Sequence, residues 1–151
     1  MLNIRWVLLL PLLAITLCEN SIAREAPQAQ REKIELTSDQ PSGGQPAAPL
    51  SQSARVSATI IGHQAIEYLI DARTGQSLEL DLLSSNTQAG FRITAPAAPR
   101  ALHKGHGQSA HFSATLPRDG TYRVRIYLLH GAADKGESAD FALRIRLRNP
   151  G

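Results

Sequence analysis

Residues 116–147 read LPRDGTYRVRIYLLHGAADKGESADFALRIRL, and this stretch decides the fold. Tyr122, Val124, Ile126 and Leu128 alternate with Arg123, Arg125 and Tyr127. Further on, Phe141, Leu143, Ile145 and Leu147 alternate with Arg144, Arg146 and Arg148. A period of two is what a strand needs when one face meets a core and the other meets water. Asp119-Gly120 supplies turn chemistry ahead of the first strand. The loop between the strands, from His130 to Ser138, is bounded by Gly131 and Gly136 and is too long for a tight hairpin. Residues 128–135 have room for one helical turn. If the two strands pair through this loop, their outward arginines form a basic patch.

The same alternation continues upstream. Val56, Ala58 and Ile60 share one face of a strand, and Gly62-His63-Gln64 then turns the chain. Ile66, Tyr68 and Ile70 oppose Glu67 and Asp71, and Thr74-Gly75-Gln76 makes the next turn. Leu78, Leu80 and Leu82 oppose Glu79 and Asp81, so these two strands would present an acidic patch to match the basic one. Phe91 and Ile93 begin another strand, residues 96–107 are irregular, and Ala110, Phe112 and Ala114 mark a further short strand. Many short strands separated by turn signals predict an all-β domain, an antiparallel β-sandwich of about seven or eight strands. The polar faces read most simply as solvated surfaces carrying cross-strand ion pairs of small net value.

This domain occupies residues 54–148, enough chain to bury a single core. Ahead of it, residues 24–53 are rich in Pro, Gln, Ser and Gly, and their only large apolar residues are Ile34, Leu36 and Leu50. That composition predicts a flexible leader, which buries too little to offset its ordering entropy. Residues 33–36 are its one candidate for an added edge strand. Residues 1–23 read as a signal peptide: Arg5, an apolar run from Trp6 to Leu17, and small residues at Ser21 and Ala23 before the cleavage point. The run is short for a bilayer span, so no stable membrane anchor is expected. Cys18 allows a rival lipoprotein reading, against which Leu17 stands where a small residue is preferred. Cleavage after Ala23 removes the only cysteine, and the fold then depends on burial without disulfides.

Composition excludes several function classes. A net charge of +3 is no nucleic-acid footprint, and 5% aromatic residues offer no stacking platform. No nucleophile elbow, zincin, phosphate-loop or paired-cysteine motif occurs. His103 and His106, with His111 nearby, raise a metal reading. Lys104 lies between them and no carboxylate completes the set, so no metal site and no cofactor is expected. The acidic residues fall at alternating strand positions rather than as a placed catalytic pair. The chain is expected not to be an enzyme.

Certain residues resemble a known family. The run SATIIGHQAIEYLIDARTGQSLELDLLSSNTQAGFRITAP at 57–96 carries the Gly62 turn, Tyr68 and Ala72, Gly75-Gln76, Asn86 and Phe91. Leu116-Pro117, Asp119-Gly120-Thr121-Tyr122, Arg125-Ile126-Tyr127 and Ala139-Asp140-Phe141-Ala142-Leu143 follow. Together they resemble the bacterial periplasmic inhibitors of goose-type (g-type) lysozyme. The chain also looks similar to β-sandwich domains appended to secreted peptidases. The first resemblance implies a periplasmic, non-enzymatic sandwich whose loops block the lysozyme's active-site cleft. It points to Arg118, Asp119, Gly120 and Tyr122 in one loop, and to His130 and Lys135 in the other. His130 and Asp134 stand where the family carries arginine, and Asp119 replaces its serine. The second resemblance implies a different partner, peptidoglycan or another envelope polymer.

Overall fold

A computed structural model describes residues 29–38 and 51–151. The signal-peptide reading and most of the leader lie outside the described residues. The strands are β1 (Gln30–Lys33), β2 (Thr37–Ser38), β3 (Ser51–Ile61), β4 (Ala65–Ala72) and β5 (Ser77–Ser84). They continue with β6 (Ala89–Thr94), β7 (His103–His106), β8 (Ser109–Thr115) and β9 (Gly120–Leu128). A short helix, α1 (His130–Asp134), precedes β10 (Ser138–Arg148). One sheet has the order β1-β4-β9-β6-β7, and the other β2-β3-β10-β5-β8. Every pairing is antiparallel except β1 on β4. This is the expected all-β sandwich, with eight strands in residues 51–148 and two more among the described residues upstream.

The core sits between the sheets and is built from the faces that the alternation assigned inward. Tyr122, Val124 and Ile126 from β9 meet Leu143 and Ile145 from β10, all fully buried. Leu80 of β5 and Phe91 of β6 are buried with them. Each such side chain contributes about 1.5–3 kcal/mol relative to exposure. Tyr68 and Phe141 meet edge to face across the core at 6.4 Å between ring centroids.

Three sequence expectations change. First, β9 and β10 do not pair. They belong to different sheets, and α1 carries the chain across between them. The basic patch and the acidic patch therefore do not exist as separate surfaces. Acidic β4 instead lies beside β9, with Glu67 opposite Arg125, and acidic β5 lies beside β10. There Asp81 is opposite Arg144, and Glu79 is bridged by Arg146 at 3.2 Å and Arg148 at 3.5 Å. Opposite charges thus face each other across strands, where each pair contributes a few tenths of a kcal/mol, up to about 1.

Second, the leader is not wholly separate from the domain. Residues 30–33 add an edge strand to β4, and Ile34 behind them is 8% exposed and donates its N–H to the Leu69 carbonyl at 3.1 Å. Arg31 and Lys33 reach Glu67 and Asp71 at 3.2 and 3.1 Å. Edge pairing is carried by backbone groups, so it requires no apolar periodicity and leaves little trace in composition. Third, β3 extends back to Ser51, three residues ahead of the expected 54, where its first residues pair with the end of β10.

Candidate functional site

The candidate site residues fall in two loops, which the fold sends to opposite ends of the sandwich. Arg118, Asp119, Gly120 and Tyr122 stand at the start of β9, while His130 and Lys135 follow its end. Between them β9 runs for nine residues, roughly 26 Å at about 3.3 Å per residue.

At the first end the turn is held from inside. Tyr122 is fully buried, and its hydroxyl accepts from the Arg118 N–H at 3.1 Å and donates to the Arg118 carbonyl at 2.9 Å. This is the arrangement of a tyrosine corner. Tyr122 therefore shapes the loop and has no surface to offer a partner. Asp119 accepts the Thr74 N–H at 2.6 Å, and this hydrogen bond is the main cause holding its carboxyl below the ordinary value of 3.8. Its charge is thereby committed to the neighbouring turn. Gly120 has φ +124°, and a Cβ there would lie 3.0 Å from Pro96 side-chain carbons. Only glycine fits without strain.

Arg118 remains as the exposed cation of this turn, with one long hydrogen bond from Nη1 to the Pro96 carbonyl at 3.3 Å. Beside the turn lies a concavity of about 600 Å³, lined in part by Gln52, Asp71, Arg73, Gln76, Asp119 and Asn149. Asp71 is tied to the Thr121 hydroxyl at 2.6 Å and to Lys33, and both hold its carboxyl below 3.8. Thr74 and Lys33 belong to this end of the molecule but were not singled out in the sequence. Their signal is tertiary, since each acts on a residue far away in the chain.

At the other end, α1 presents His130 and Asp134 one turn apart, and Lys135 caps it. The β3–β4 turn brings His63 against them, 3.0 Å from the Asp134 carboxylate. A second concavity of about 310 Å³ is lined there by His63, His130, Arg92, Arg125 and Tyr127, among others. Arg92 and Arg125 are direct cross-strand neighbours, and the buried Arg92 Nε has no protein partner. His63 was read only as part of a turn. The pair it makes joins residues 71 positions apart, which no local motif records.

The histidines considered for a metal stand at the two ends of β7 and, for His111, on β8. His103 leans inward between Phe91 and Phe112, with centroid distances of 5.6 and 5.0 Å, whereas His106 is exposed. A spacing of three along a strand puts side chains on opposite faces. His111 is paired with Asp81 at 2.6 Å on the neighbouring strand, a carboxylate partner that no local spacing in the sequence indicates. That pair is solvent-exposed on the outer face of a sheet.

No protein-family model matches the chain, and no curated protein sequence does. Solved structures do match. PliG of Aeromonas hydrophila, a periplasmic inhibitor of g-type lysozyme, superposes with a TM-score of 0.60 at 21% identity. PliG of Salmonella Typhimurium matches with a TM-score of 0.53 at 20% identity. A mutant of PliG from Escherichia coli, also a periplasmic g-type lysozyme inhibitor, matches at 0.53 and 17%. In each case 80% of this chain covers 100% of the other. The chain therefore has the fold of these inhibitors from end to end of their structures.

Proposed function

We propose that this chain is a periplasmic, non-catalytic inhibitor of g-type lysozyme, exported by a signal peptide over residues 1–23. The observation that carries this reading is the fold match over the whole length of three such inhibitors. The resemblance of the turn at Asp119-Gly120-Thr121-Tyr122 supports it from the residues themselves.

The Arg118 end is the element we assign to the lysozyme cleft. Tyr122 fixes its backbone and Thr74 holds the Asp119 side chain before binding, which lowers the ordering cost of association. Arg118 projects an exposed guanidinium, a group suited to bidentate pairing with the carboxylates that glycoside hydrolysis requires. Asp119 is fixed on the neighbouring turn by the Thr74 N–H, and as an ionised carboxylate its repulsion counts against the attraction of Arg118.

Gel filtration of the purified chain mixed with a g-type lysozyme tests the reading. A one-to-one complex is expected, with none formed by a chicken-type lysozyme. Two separate peaks at micromolar concentrations would contradict it, and sedimentation with purified cell wall would then favour an envelope-polymer module.

A further inference from the structure

We infer that His63, His130 and Asp134 form a binding site for a divalent transition metal, with zinc the best match. One ligand atom from each lies within 4.8 Å of the other two. His63 Nε2 already sits 3.0 Å from Asp134 Oδ1, and the two imidazole centroids are 6.2 Å apart at 65°. Two imidazoles and a carboxylate are a ligand set that zinc takes, with nitrogen bonds of about 2.0–2.1 Å and an open fourth position. All three side chains are exposed, so small rotations suffice to close the set around an ion.

The backbone beneath the cluster is already assembled. His130 and Asp134 are spaced i and i+4 on α1, which puts them on one face of the helix. The His63 turn is fastened to the far side of that loop by the Gly62 N–H, which donates to the Glu137 carbonyl at 2.8 Å. Gln64 closes the turn by donating its N–H to Ile61 O at 3.0 Å and accepting the Ile61 N–H at 3.1 Å. The β3–β4 and β9–β10 crossings between the sheets both occur at this end, which brings residues distant in sequence together. A surface ion pair between His63 and Asp134 would account for two of these side chains but not for the third. Arg92 and Arg125 line the same concavity, so the fourth position favours an anionic ligand. Calcium and magnesium, which prefer oxygen ligands, do not suit the set.

Calorimetric titration of zinc chloride into the full chain, purified without a histidine tag at pH 7.5, tests the site. One zinc per chain is expected, with the heat lost in His63→Ala and in His130→Ala and kept in a His103→Ala/His106→Ala variant. On the native chain, zinc should shift the ring signals of two of the five histidines, those of His63 and His130, in proton NMR. Absence of heat, heat that survives both single substitutions, or shifts confined to His103, His106 or His111 would overturn the inference. The site lies at the end opposite Arg118, so its failure and that of the lysozyme reading are separate results.

Discussion

The Tyr122 hydroxyl holds both backbone polar groups of Arg118, accepting from its N–H at 3.1 Å and donating to its carbonyl at 2.9 Å. One side chain in the core thus sets the shape of an exposed turn. Tyr122→Phe keeps the ring and removes both bonds. The expected loss is about 1–2 kcal/mol of stability, measured by urea unfolding. Affinity for lysozyme should fall as well, because the turn then has to be ordered on binding. Unchanged stability would mean that the corner is not formed in solution.

Arg118 and Lys135 lie at opposite ends of β9, so they should separate cleanly in a binding assay. Arg118→Ala should weaken affinity for g-type lysozyme about 30-fold, the scale of an arginine hot spot. Lys135→Ala should leave it within about twofold, as expected for a group outside the contact. Both variants should unfold at the wild-type denaturant concentration, since both side chains are exposed. The reverse pattern would move the contact to the α1 end.

Acid should weaken the fold through Asp71 and Asp119. Their carboxyls lie below 3.8 in the folded chain, Asp71 chiefly through the Thr121 hydroxyl and then Lys33, Asp119 through Thr74. A depressed folded value means that the unfolded chain binds more protons in acid. The stabilisation is thus present above 3.8 and lost as pH falls through the lower folded values. Thermal unfolding from pH 5 downward should show the decline, with a shallower slope in Asp71→Asn/Asp119→Asn. Lys33, raised above 10.5 chiefly by its hydrogen bond to Asp71, has the opposite sign. Its contribution is complete below 10.5 and is lost as pH rises through the raised folded value.

Gly105 of β7 packs directly over Phe91, and a Cβ there would come 2.7 Å from the ring. Gly105→Ala should cost about 1–3 kcal/mol through overpacking, or displace β7 from β6. Urea unfolding together with amide exchange along residues 103–106 distinguishes the two. Wild-type behaviour in both would contradict the packing.

The sandwich was legible because its inward faces are written in period two. Tyr122, Val124, Ile126 and Leu128 are buried as their alternation requires, and so are Leu78, Leu80 and Leu82. What the alternation does not encode is which strands become neighbours. β9 and β10 follow each other in sequence and carry matching arginines, yet α1 sends them to different sheets. β1 was hidden for another reason: QREK is exposed along its length and is held by backbone pairing and by Arg31 and Lys33. At the candidate site, the Asp-Gly-Thr-Tyr turn was visible as a motif and the alternation put Tyr122 inward, but the grip of its hydroxyl on Arg118 emerged only from the structure. His63 carried only a turn signal, because its partners His130 and Asp134 are distant in sequence and meet it only in the folded chain.

The central claim is inhibition of g-type lysozyme, and lysis of a peptidoglycan suspension measures it directly. With g-type lysozyme held constant, increasing amounts of the purified chain should slow clearing until it stops near one equivalent. Clearing by a chicken-type lysozyme should proceed unchanged. Undiminished clearing by the g-type enzyme at a large excess of the chain would contradict the account.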